Sequence, residues 1–257
     1  MAHADYPLID DTYRQNHLDG TRGYMPRDWK SIPLGSLKCA PRLSLPLIDM
    51  AEVPQRIADK TAAKTWISDI CDLAGLPVKN QQQTNFCWAN APTHCVEIDR
   101  VMQGQPVLVL SAASVACQIN GFRNEGGSGT DAVQWISKSG VCTDALWPNA
   151  AISRQYQTPT ATADATNHII TQFFDLDSSN DQEIITCLLN DIPVSVGIPA
   201  WGHEVTLTFL TWDSTFHYGF DNSWGTSYGN NGRGVLSRSY SRFDEAIAPG
   251  VVTPSSK

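Results

Sequence analysis

Four residue types that thiol chemistry uses stand at telling places in this 257-residue chain. Cys87 lies in Phe86-Cys87-Trp88-Ala89, with Gln81 six residues before it. His203 follows in Gly202-His203-Glu204-Val205, and Asn222 in Asn222-Ser223-Trp224-Gly225. A cysteine can supply a thiolate, a histidine can take and return a proton, and an asparagine can orient the imidazole. A glutamine amide can donate to the oxyanion of a tetrahedral intermediate. Plain structural readings compete. A helical cysteine is usually a small core hydrophobe, which is the expectation for Cys95, Cys117, Cys142 and Cys187. Asn222 ahead of Gly225 and Gly229 could be a turn residue. His17, His94, His168 and His217 have no partner motif and read as surface or structural residues, and His3 lies in the terminal arm.

The order of these motifs resembles the papain-like cysteine peptidases. A middle block strengthens the likeness: Leu110-Ser111 through Cys117 to Gly126-Gly127, then Trp135-Ile136 and Trp147-Pro148. One block alone is weak, whereas three in the right order are specific. The resemblance implies Cys87 as nucleophile, His203 as base and acid, Asn222 as orienter, and Gln81 with the Cys87 backbone N–H as the oxyanion hole. It implies that Trp224 shields the His–Asn hydrogen bond. Gly126 and Gly127, having no side chains, would let a substrate backbone approach and pair. The implied activity is hydrolysis of peptide bonds in a peptide or protein substrate. No cofactor is expected, and no His/Cys cluster has metal-ligand spacing. The alternative is a structural or assembly component, such as a virion protein, built on the same fold. Acyl transfer on the same triad is a third option, from which the Asn222-Ser223-Trp224-Gly225 block points away.

The chain departs from the family pattern in several places. Gln82, Gln83, Asn85 and Phe86 replace small residues before the nucleophile, and a Phe beside the thiol could narrow the site or block it. Glu204 could raise the imidazole pKa, favour a basic substrate side chain in the main specificity pocket, or point away as a solvated strand residue. Two positions that form a disulfide in secreted members read Thr84 and Asn124 here, and Cys117 lacks its expected partner beyond Trp147-Pro148. Mostly free thiols and a reducing, cytoplasmic or virion-associated location are therefore expected.

The elements that must position these residues follow from periodicity and breakers. Helices are expected over 55–74 (Ala58, Ala62, Trp66, Ile70 and Leu73 as the stripe), 86–103, 131–139 with Thr130 as N-cap, and 181–190. The second would place Cys87 at a helix N-terminus, whose dipole favours a thiolate, with Pro92 bending it. Strands are expected over 193–198, 203–211, 215–222 and 232–238, and 157–166 reads as a surface loop. The expected fold is α+β and papain-like: residues 51–240 form a helical lobe (51–150) and a β-rich, barrel-like lobe (151–240) with a cleft between them. Residues 241–257 read as a loose tail.

Recurrent prolines make residues 1–50 an extended arm. It would lie either in the protein's own cleft or against a neighbouring subunit. Arg22, Arg27, Lys30, Lys38 and Arg42 favour the neighbour, since the body is acidic. The net charge of −8 argues against nucleic acid as a partner. No apolar run approaches the roughly 18–20 residues of a membrane span, and Met1 to Asp10 carry no secretory signal pattern.

Overall fold

The computed structural model describes residues 6–16 and 20–252, so His3, His17 and the end of the expected tail lie outside the described residues. In chain order the elements are β1 (Leu8–Ile9), α1 (Asp11–Asn16), α2 (Val53–Ala63), α3 (Ile67–Ala74), α4 (Cys87–Met102), α5 (Ala112–Asn120), α6 (Gly129–Ser139), a 3-10 turn (Arg154–Tyr156), α7 (Pro159–Ala165), β2 (Ile170–Asp175), α8 (Asp181–Leu189), β3 (Val194–Ile198), β4 (His203–Trp212), β5 (Phe216–Asp221), β6 (Arg233–Leu236) and β7 (Glu245–Val252).

Helix α4 is buried from Cys87 to Arg100 and separates two cores. On one side Trp88 and Val96 pack with Leu110, Val115, Val133 and Ile136 of a helical lobe. On the other, Ile98 packs with Ile67, Leu188, Leu207 and Phe220 of a β-rich lobe. A helix buried all round has no single apolar stripe. Pro92 removes the N–H that would reach the Trp88 carbonyl, and the helix continues past it. The β-rich lobe is built on one seven-stranded sheet in the order β1-β6-β5-β4-β3-β7-β2. All neighbouring strands are antiparallel except the pair β1 and β6. The fold is thus α+β with two lobes.

Four local expectations need correction. The helix expected over 55–74 is two helices, because Lys64 adopts a left-handed φ of 52° and Trp66 is an extended N-cap. Of the expected stripe Trp66 is buried, but the other buried residues are Val53, Ile57, Ile67, Ser68 and Cys71, and Leu73 is 91% exposed. Ser128, not Thr130, caps α6, accepting from the Asp131 N–H, and Thr130 bonds Glu245 instead. The supposed loop at 157–166 holds α7, with Thr158 as N-cap and Pro159 in its first turn, a standard start signal. Finally, 245–252 is no loose tail: β7 lies inside the sheet, between β3 and β2.

The arm lies along its own chain. β1 adds to the sheet edge at β6. The Arg27 guanidinium makes a buried two-pronged pair with Asp175, at 2.6 and 2.8 Å, and Arg42 pairs with Glu183. Asp244 accepts from the Tyr24 hydroxyl, the Arg27 backbone N–H and the Trp29 indole. Arg27 and Arg42, expected to seek an acidic neighbour, are thus neutralised within the chain.

A buried network of charges ties the lobes together. Lys79 Nζ donates to Glu97 on α4 at 2.7 Å, and Glu97 also accepts from the Leu110 backbone N–H at 2.6 Å. His94, on the same helix, bridges Glu97 (2.8 Å) and Asp221 at the end of β5 (3.2 Å). Asp221 accepts in turn from Thr208 and from Arg233 on β6, and Arg233 reaches Asp72 on α3 with both terminal nitrogens. Burial pushes the Asp221 carboxyl up, but Arg233 and His94 pull it further down, to about 2. Burial pulls the His94 imidazole down, and Asp221 and Glu97 more than reverse that, leaving it raised.

All seven cysteines, each among the described residues, are free thiols. Hydrogen bonds join the two loops that carry Thr84 and Asn124. Asn124 Oδ1 accepts from the Asn85 N–H at 2.7 Å, Asn124 Nδ2 donates to the Gln83 carbonyl, and Asn85 Nδ2 donates to the Asn124 carbonyl.

Two stability predictions follow from these contacts. The carboxyl of Asp221 is depressed on folding, so its contribution is present above a pH of about 4 and lost as pH falls toward about 2. Asp221→Asn should remove roughly 3–5 kcal/mol at neutral pH, because it takes the buried carboxylate from between Arg233 and His94 and leaves Arg233 only Asp72 and His94 only Glu97. It should also make the acid limb of a urea-midpoint against pH curve shallower, and an unchanged limb would contradict the network. The thermal midpoint should be the same with and without reductant, whereas Asn124→Ala should lower it by the equivalent of about 1–2 kcal/mol. A large drop on reduction would show a cross-link in place of the hydrogen bonds.

Candidate active site

Two short segments bring the motif residues together. The chain around Asn80 pairs antiparallel with the chain around Trp224, through Gly225 N–H to Lys79 carbonyl (2.9 Å) and Gln81 N–H to Ser223 carbonyl (2.7 Å). The Ser223 hydroxyl then donates to Gln81 Oε1 at 2.5 Å, which turns the Gln81 amide nitrogen toward the cleft. Asn222 Oδ1 faces His203 Nε2 at 2.8 Å and accepts from the Ser223 N–H at 2.7 Å. An oxygen that accepts the Ser223 N–H must be the amide carbonyl, so the imidazole carries its proton on Nε2. The Trp224 ring lies 4.5 Å from the His203 ring and Trp201 5.0 Å from it, and His203 is fully buried. Two aromatic walls keep water from the His–Asn bond.

Cys87 is the first residue of α4. The backbone amide of Glu204, next after His203, faces the Cys87 sulfur, so the starts of β4 and α4 meet at the thiol. Phe86 is fully buried and packs edge-on to Trp88 in the core of the helical lobe. Gln82 absorbs the crowding with a left-handed φ of 51°.

The arm crosses this cleft. The Thr21 carbonyl accepts from Gln81 Nε2 (2.8 Å) and from Trp224 Nε1 (2.9 Å). Gly23 and Tyr24 turn their amides to the Gly202 carbonyl, and the Tyr24 amide also faces the Cys87 sulfur. On the far wall Gly127 donates to the Gly23 carbonyl at 2.9 Å and accepts from the Met25 N–H at 2.8 Å, a parallel pairing centred on Tyr24. Glycine is required at these crossings. A Cβ on Gly23 would come 2.0 Å from the Asn85 carbonyl oxygen, and one on Gly126 would come 2.4 Å from the Gly23 oxygen. Covered in this way, the Cys87 thiol is pushed up to about 12, by burial first and then by Glu204, despite its place at a helix N-terminus. The thiolate expected there is a protonated thiol in this covered state.

Glu204 is not a solvated strand residue, because it is 1% exposed. Its Oε1 accepts from Ser195 at 2.6 Å. Burial, and then the neighbouring Glu245, push its carboxyl far above the usual carboxylate range. The motifs gave no sign of Glu245, Asp244, Tyr24 or Thr21 at this site. They reach it through strand register and the path of the arm.

The model of the papain family cysteine proteases matches residues 72–209 of the chain. Chymopapain from Carica papaya is 26% identical over 184 residues, covering 63% of this chain and 51% of that protein. The Oryza sativa oryzain beta chain is 31% identical over 135 residues, 51% of this chain and 28% of that one. The chain thus spans about half or less of the length of these curated relatives. Among solved structures, procathepsin L 3 from Tenebrio molitor superposes with a TM-score of 0.59 at 20% identity, over 68% of this chain and 66% of that one. Xylellain from Xylella fastidiosa superposes with a TM-score of 0.58 at 16% identity, over 99% and 97% of the two chains. These two likenesses show the fold, and the family match extends over more than half of the chain's length. The chain belongs to the papain family of cysteine proteases.

Proposed function

We propose that the chain is a thiol-dependent peptidase acting through Cys87, His203, Asn222 and Gln81, and that residues 20–27 hold its site closed until they are displaced. The observation that carries the first part is the His203–Asn222 contact, which puts the imidazole proton on Nε2. That leaves Nδ1 to take the proton of the Cys87 thiol. The thiolate then attacks the scissile carbonyl carbon, and Gln81 Nε2 with the Cys87 backbone N–H donates to the oxyanion. The imidazolium gives its proton to the leaving amine. Water, activated by the same ring, hydrolyses the thioester and restores the thiol. Trp224 keeps the orienting bond dry, and Gly126 and Gly127 pair with the substrate backbone.

The arm's pose explains why it blocks the site without being cut. The Cys87 sulfur meets the Tyr24 amide N–H, and the Gly23 carbonyl oxygen is held by the Gly127 N–H and not by the Gln81 donor. The Thr21 carbonyl takes the Gln81 donor that an oxyanion would need. An arm against a neighbouring subunit would suit the structural or assembly alternative, but residues 21–25 lie on the chain's own cleft, which favours the peptidase reading.

Cys87→Ala should lower peptidase activity about a thousandfold or more, and retention of activity would exclude Cys87 as nucleophile. Gly23→Val tests closure better than deletion of the whole arm, which would also remove β1 and the Arg27–Asp175 pair. With no room beside Asn85, the variant arm should leave the cleft. Iodoacetamide mapping should then show Cys87 alkylated about tenfold faster or more, because exposure returns its pKa toward the ordinary range. Equal rates in both proteins would mean the arm does not cover the thiol.

A further inference from the structure

The Tyr24 side chain fills a pocket with a definite floor and walls. Gly197 of β3 pairs with Glu204 of β4 on one side and with Glu245 of β7 on the other. Directly paired residues project to the same face of a sheet. A Cβ on Gly197 would come 2.2 Å from the Tyr24 ring, so the ring lies on Gly197 with a carboxylate rising on each side. Gly129 closes the end, where its N–H donates to Glu245 at 2.7 Å and its missing Cβ would meet Glu204.

The two walls are not equally satisfied. Glu245 accepts from the Gly129 N–H and from the Thr130 N–H and hydroxyl. Glu204 has Ser195 on one oxygen, with the Gly129 N–H also close by, while its other oxygen, Oε2, is buried with no hydrogen-bond partner. Neither carboxylate makes an ion pair among the described residues. Arg27, which acts on Glu245 at longer range, is committed to Asp175. The Tyr24 phenol brings no positive charge to this pocket, and its hydroxyl reaches past both acids to Asp244.

Resting on the peptidase reading above, we propose that the pocket over Gly197 is a specificity site for a cationic side chain, a lysine or arginine of the substrate, held between Glu204 and Glu245. A buried acid with an unpartnered oxygen is costly alone, and a matched cation removes that cost. An apolar side chain would leave both carboxylates as they are. The arm carries a tyrosine here, so it fills the space without the charge pairing that would seal the site.

The arm itself supplies the test. In the full chain, position 24 is varied and Cys87 alkylation by iodoacetamide is timed, since a better-seated arm protects the thiol. Tyr24→Lys should protect about tenfold more than Tyr24→Leu, equivalent to about 1.4 kcal/mol. The difference should vanish with Glu204→Gln, and with Glu245→Gln if that variant folds. It should survive Asp244→Asn, which controls for a lysine reaching the tyrosine's partner. Equal protection by Lys and Leu, or a Lys effect lost only with Asp244→Asn, overturns the proposal. A positional scan of fluorogenic peptides with the full-length Gly23→Val variant, whose arm leaves the cleft, should select lysine or arginine at one position, and adding Glu204→Gln should erase that choice. Selection of apolar residues there overturns it. Failure to turn over any peptide would count against the peptidase reading, while the labelling contrast still decides the pocket.

Discussion

The geometry of the site depends on the charges buried between α4 and the sheet. Cys87 begins the helix and Asn222 follows the last residue of β5, so the two lie on different lobes. What spans them is the run Lys79, Glu97, His94, Asp221, Arg233 and Asp72. Buried ion pairs are weak evidence for stability, because desolvation offsets much of the attraction. Their directionality matters more here. Each carboxylate oxygen has a named donor, and a shift of one lobe against the other would leave several of these groups unpaired at once. An apolar interface of the same size would tolerate sliding. The network therefore holds the segments that carry the thiol and the imidazole's partner in one register.

The covering arm relies on that rigidity. Its backbone meets Gly127 on one wall and Gly202 on the other, with the Thr21 carbonyl between Gln81 and Trp224. No single bond here is strong. The arm stays because it is tethered, which makes the contact intramolecular, and because Arg27 is anchored in the β-rich lobe just beyond it. Gly23 and Gly126 let two backbones approach, and Gly20 and Gly127 leave room for the Trp224 and Trp88 rings. One segment thus accounts for three features of the site: the raised thiol, the occupied Gln81 donor and the filled pocket over Gly197.

Much of this was legible in the sequence, and the legible parts share a property. Gln81, Cys87, His203 and Asn222 sit in short local motifs, and the long strands and the helix after Cys87 have strong periodicity. The rest depended on pairing that a linear reading does not carry. Glu204 could be singled out because it follows His203, but its neighbour Glu245 is 41 positions away and arrives through Gly197 on an intervening strand. β7 was hidden by Pro249 and Gly250, which read as breakers. The strand keeps them where its partner β2 is irregular, with register shifts before Phe173, the partner of Pro249. Lys64 breaks a helix with no glycine or proline to announce it. The arm's basic residues pointed to a neighbour because their acidic partners, Asp175 and Glu183, lie more than a hundred residues downstream.

Amide hydrogen exchange of the full chain, resolved at Tyr24, Met25 and Gly127, tests the covered site most directly. The Met25 and Gly127 amides bond across the cleft, and the Tyr24 amide faces the Gly202 carbonyl and the Cys87 sulfur. The structure predicts that all three exchange far more slowly than in an unstructured peptide, and together, since one local opening frees them. Exchange of Tyr24 and Met25 at the unprotected rate, with Gly127 following, would mean that the arm does not occupy the cleft.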